Sequence, residues 1–304
     1  MLDFIKFTGK SYNYDVSSRY GYDIRIVNAC PPIRIPILVY HAHIFSGRDY
    51  AGNGHIALAA DLETIAAAGR RVVPLRWIVE WLLGERGDGD LQGAVGLSFD
   101  DGTILDFQAV DHPLYGRLPG FLPILEAFRA CRGGEQPDLN ATCFVIASPL
   151  AREEMDRACL YGAGWLASNG WAAAAAGGLL EIGNHSWDHN HEAASEAPGV
   201  PRGTFRCIDT ERLADHEIRR AQMLIGQQCG TTPCLFAYPY GESNDYLEGE
   251  YLPRHGPAIG LAGAFTTGAA PVTKQTSRWS IPRYVHGRDW RSAQELVDLL
   301  RATV

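Results

Sequence analysis

No stretch of this 304-residue chain approaches the roughly 20 consecutive apolar residues that a helix needs to cross a bilayer, which argues against a membrane span. A surplus of basic charge is missing too: Lys and Arg number 27 against 35 Asp and Glu, a formal net charge of -8. Non-specific attraction to nucleic acid or to an anionic membrane needs the opposite balance, so a neutral or cationic substrate fits better. The seven cysteines (Cys30, Cys131, Cys143, Cys159, Cys207, Cys229, Cys234) include no C-x-x-C pair. That odd set reads as reduced, mostly buried thiols rather than as a disulfide framework. The first ten residues carry Asp3, Lys6 and Lys10 with no apolar stretch behind them, unlike a signal peptide, and the expected location is the cytoplasm. Low-complexity tracts are absent, and 46% hydrophobic with 20% charged residues is the composition of an ordinary folded protein.

What is present alternates. Residues 1–34 are mixed in pattern and end near Cys30-Pro31-Pro32, an expected N-terminal extension or cap, with residues 35–304 forming one catalytic domain. Apolar runs predict strands over 35–40, 94–99, 141–146, 179–183, 235–238 and 264–266. Helical periodicity predicts helices over 60–68, 75–83, 171–176, 210–228 and 292–301, several of them closed by glycine. Apolar strands separated by helices imply a parallel sheet covered on both faces, hence an α/β fold. Polar residues follow several of the strands, His41, Asp100, His185 and Tyr240 among them, which favours a closed or partly closed barrel with its site at the strands' carboxyl ends.

The strongest local signal is Ser98-Phe99-Asp100-Asp101-Gly102 at the end of an apolar strand. Adjacent carboxylates repel unless a cation or a shared proton relieves them; a solvated turn is the alternative. The second signal is the cluster from His185 to His191, whose imidazoles at positions 185 and 189 are spaced to meet on one side of a helical turn. Together the two signals offer two imidazoles and a carboxylate, a set that leaves positions open for water or substrate. The extra carboxylate, Asp100, is then available to deprotonate metal-bound water. A third stretch, Phe236-Ala237-Tyr238-Pro239-Tyr240-Gly241, is an aromatic strand and proline turn that could expose a backbone N–H to an oxyanion.

These residues, in this order, resemble the polysaccharide deacetylase family, also called family-four carbohydrate esterases. Its T-F-D-D-G appears as Ser98 to Gly102, and its H-S/T-x-x-H as His185 to His189. Val39-Tyr40-His41, Ala141 to Val145, Glu181 to His185 and Phe236 to Gly241 match less specific parts. The resemblance implies a distorted (β/α) barrel and hydrolysis of N-acetyl or O-acetyl groups on an amino-sugar oligomer or polysaccharide. It implies Asp100 as catalytic base, Asp101, His185 and His189 as ligands of one divalent ion, and the Tyr240 amide in the oxyanion hole. Zinc is the first expectation for the ion, with cobalt, manganese, iron and nickel as alternatives.

The chain departs from the family pattern in two places. An arginine usual two positions before the third motif's proline is replaced by Ala237, and Arg283 is the candidate to supply that charge. The late L-x-H motif is also missing; His41 is favoured as general acid over His286 and His43. Rival readings are a hydrolase of small non-carbohydrate amides on the same scaffold, a metal phosphoesterase, and a carbohydrate-binding protein that has lost activity. The acidic net charge disfavours the phosphoesterase.

Overall fold

The computed structural model describes residues 32–167, 170–196 and 200–303. The extension expected at 1–34, Cys30 included, lies outside the described residues apart from its last three positions. The fold is organised by the run Ala94–Asp101 (β3), buried along its whole length up to Asp100. A strand buried on both faces needs parallel neighbours with helical crossovers. β3 has them in Ile37–Tyr40 (β1), Arg71–Val73 (β2) and Ala141–Val145 (β6). The sheet continues through Leu180–Asn184 (β7), Leu235–Ala237 (β8) and Gly263–Phe265 (β9), and Tyr284–Val285 (β10) pairs with the outer edge of β1. All eight strands pair in parallel, in the order β10-β1-β3-β6-β7-β8-β9 with β2 on β3. The sheet curls into a half-barrel surrounded by helices, the distorted (β/α) barrel expected.

The sequence reading misses several elements. A separate antiparallel hairpin pairs Val110–His112 (β4) with Gly116–Leu118 (β5), where the sequence reading places no strand. Helices Phe121–Arg132 and Pro149–Cys159 are also unforeseen. The helix expected over 60–68 starts earlier, at Gly54, because the Asn53 side chain accepts from the His55 N–H at 3.0 Å and caps it. That helix buries Ala57, Leu58, Leu62 and Ile65 against the sheet. Each large aliphatic side chain so buried stabilises the fold by roughly 1.5–3 kcal/mol.

The helix expected over 210–228 runs Glu211–Cys229, but it contains a π-helical turn at Asp215–Arg219. The turn carries the buried Glu217, whose carboxylate lies 3.4 Å from the Asp188 N–H in the loop after β7. All six described cysteines are free, and no described helix is long and apolar enough to cross a membrane.

Candidate metal centre and active-site cavity

Because the strands are parallel, the residues that follow them gather at one end of the sheet. There a cavity of about 400 Å³ is lined by His41 and His43 after β1, Asp100 and Asp101 at the end of β3, His185 and His189 after β7, and Tyr240 after β8.

Asp101 ends its strand in a left-handed conformation, φ 79°, and Gly102 continues it at φ 67°. Glycine is required at 102, since a Cβ there would stand 2.5 Å from Val145 Cγ1. The loop after β7 differs from the helical turn expected for His185 and His189. Ser186, His189 and Asn190 all have positive φ (72°, 61° and 42°), and no helix forms. The polar residues of the motif hold the loop instead. Asn184 Oδ1 accepts from Ser186 N at 2.8 Å, Ser186 Oγ from His189 N at 2.9 Å, and Asp188 Oδ1 from Asn190 N at 2.8 Å. Arg202 donates to Asp188 Oδ2 at 2.8 Å, and Asn190 Nδ2 donates to the Thr204 carbonyl at 2.6 Å. These supports are absent from a reading that asks only which side chains bind.

Asp101, His185 and His189 each present one donor atom, all within 4.8 Å of one another. His185 Nε2 and His189 Nε2 both lie 3.6 Å from Asp101 Oδ1. That is too long for a hydrogen bond, yet close to the separation of about 3.3 Å between tetrahedral donors at zinc bond lengths of 2.0–2.1 Å. The His185 ring is turned by Nδ1–H donating to the Ala237 carbonyl at 2.8 Å, which leaves Nε2 as the free lone pair. Burial, followed by the neighbouring His185, pushes the His189 imidazole down to about 3, so it is a neutral donor at ordinary pH. Burial works to raise the Asp101 carboxyl, but His43, His189, His41 and His185 together hold it below the usual carboxylate range. The donor set therefore fits a divalent cation.

Asp100 faces a different partner. The Arg283 guanidinium, fully buried just before β10, donates to Oδ1 at 2.7 Å and to Oδ2 at 2.8 Å. Ser98 Oγ accepts from the same guanidinium at 3.0 Å, and the Thr266 carbonyl accepts from its Nε at 3.1 Å. Burial works to raise the Asp100 carboxyl, but the charge and hydrogen bonds of Arg283, together with the nearby His185 and His41, hold it below the usual carboxylate range.

Tyr240 sits at φ 60°, half-exposed, with its ring edge-on to His189 at 4.4 Å between centroids. Among the described residues no acceptor takes its backbone N–H. His41 lines the cavity, whereas His286 does not: it stacks on Tyr40 at 5.6 Å and lines a neighbouring hollow that His41 shares. His43, set aside in the sequence reading, stands 3.7 Å from Asp101 Oδ2.

Residues 89–252, more than half of the chain, match the family model described as polysaccharide deacetylase. The chain belongs to that family. Membership makes this deacetylase a hydrolase acting on amide bonds of acetylated carbohydrates, in a family that is generally metal-dependent. The matched segment holds Asp100, Asp101, His185, His189 and Tyr240 but neither the two early histidines nor Arg283. Its fold is similar to that of IcaB from Ammonifex degensii, at 19% identity and a TM-score of 0.61, over 88% of this chain and 97% of that one. The Streptococcus pyogenes deacetylase PplD, solved in complex with acetate, is similar at 18% identity and a TM-score of 0.58, over 89% and 99% of the two chains. A de-N-acetylase from Aggregatibacter actinomycetemcomitans aligns at 17% identity and a TM-score of 0.54, over 87% and 99%. At these identities the likeness is one of fold.

Proposed function

We propose that this deacetylase removes N-acetyl groups from an amino-sugar oligomer or polysaccharide with the help of one divalent cation, zinc first. Convergence of the Asp101, His185 and His189 donors in a cavity that also holds a second carboxylate carries the reading. When bound, the cation supplies Lewis-acid polarisation of the scissile carbonyl and lowers the pKa of attacking water.

The remaining work falls to the chain. Asp100 takes the proton from the attacking water, and Arg283, bonded to both its oxygens, fixes the carboxylate's direction. The Tyr240 amide, which has no acceptor among the described residues, donates to the oxygen that gains negative charge. His41, on the wall of the same cavity, returns a proton to the leaving nitrogen. The resulting amine is released beside acetate. Residues 1–34 belong, in this reading, to an extension separate from the catalytic domain.

Metal analysis of the purified protein combined with acetate release from acetylated glucosamine oligomers tests the reading. Stoichiometric cation and acetate release abolished by a chelator are expected. Full acetate release from metal-free protein would overturn it.

A further inference from the structure

Asp101 is a carboxylate ringed by imidazoles. Its Oδ1 faces His185 Nε2 and His189 Nε2, both at 3.6 Å, while its Oδ2 faces a third ring nitrogen, His43 Nε2, at 3.7 Å. No described residue makes a shorter polar contact with it. A carboxylate that gives one oxygen to a cation keeps rotational freedom unless a donor holds the other oxygen, and such outer partners set the ligand's orientation.

His43 is built for that task. The chain turns into the cavity directly after β1, and the His43 side chain is only 19% exposed there. Its Nδ1 is buried without a hydrogen-bond partner among the described residues. A proton on that nitrogen would be a buried donor with nothing to donate to, which favours the tautomer carrying the proton on Nε2, opposite Asp101. Closing 3.7 Å to a hydrogen bond takes a shift of about 0.8 Å. His41 is a separate group, its ring centroid 6.3 Å from that of His43.

We propose that His43 is a positioning residue for Asp101: its Nε2–H donates to Oδ2 and holds the carboxylate with Oδ1 turned toward the cation. This rests on the reading of Asp101, His185 and His189 as that cation's ligands. Two substitutions separate bulk from hydrogen bonding: His43→Phe keeps a ring without a donor, and His43→Gln keeps a donor. The measurements are zinc affinity by chelator competition and the visible spectrum of the cobalt-loaded protein, neither of which needs turnover.

His43→Phe should weaken zinc 10- to 100-fold and alter the cobalt spectrum, roughly the loss seen for outer partners of metal ligands. His43→Gln should recover most of the affinity. Wild-type affinity and spectrum in His43→Phe would overturn the proposal, as would equal losses in both variants. If His43→Phe does not fold, His43→Ala takes its place under the same criteria. A wild-type protein that takes up no stoichiometric cation would instead sink the reading of the ligands, and this inference with it.

Discussion

Arg283 grips both carboxylate oxygens of Asp100, at 2.7 and 2.8 Å, across 183 positions of sequence. Both partners are buried, so removing one strands the other in a medium that solvates it poorly. Arg283→Ala should cost about 3–5 kcal/mol of stability, visible as a lower melting temperature, and should reduce turnover while cation content stays the same. Arg283→Lys should recover only part of both, because an ammonium cannot reproduce the two-pronged contact. A variant with wild-type melting and turnover would show that the pair is incidental.

The two adjacent aspartates should separate in function. Asp100→Asn is expected to keep the cation and lose about 10²–10⁴-fold in turnover. His185→Ala is expected to lose cation and activity together. Inductively coupled plasma analysis alongside acetate release distinguishes them, and an active Asp100→Asn enzyme would remove Asp100 from the mechanism.

Among the histidines, position relative to the cavity decides. His41→Ala should lower kcat with little change in cation content, by about 10²–10⁴-fold if it supplies the proton. His286→Ala should leave kcat closer to wild type, since that ring packs on Tyr40 outside the cavity. The reverse ranking would transfer the acid's role to His286.

Asp61 provides a pH signature remote from the chemistry. Burial raises its carboxyl to about 6, against hydrogen bonds from Tyr50, Tyr40 and Trp290 that favour the ionised form. The folded group holds its proton at pH values where the unfolded one, near 3.8, has released it. Its contribution to stability is therefore greatest below about pH 4 and declines as pH rises toward 6, by at most about 3 kcal/mol. Denaturation of wild type and Asp61→Asn across that range should show the variant with a flatter profile; parallel profiles would count against the raised value.

The two aspartates and the histidine pair were legible because each motif is contiguous and sits where an apolar run stops. The alternation of strands and helices likewise announced the sheet. Helix Pro149–Cys159 carries a start signal in the sequence, Ser148 as cap followed by proline. Helix Phe121–Arg132 does not, since Gly120 offers no side-chain cap. The left-handed backbone at Ser186, His189 and Asn190 opposes local preference and is sustained by Asn184, Asp188 and Arg202, contacts that spacing alone does not reveal. His43 and Asp101 meet only because β1 and β3 lie side by side.

The pairing of β10 with β1 has a consequence for synthesis. During translation the acid pair and both motif histidines emerge well before residue 283, so a nascent chain carries Asp100 without its counter-charge. Until the late segment lies beside β1 that carboxylate has no buried cation to pair with, so a charge-balanced Asp100 requires the chain through at least residue 283.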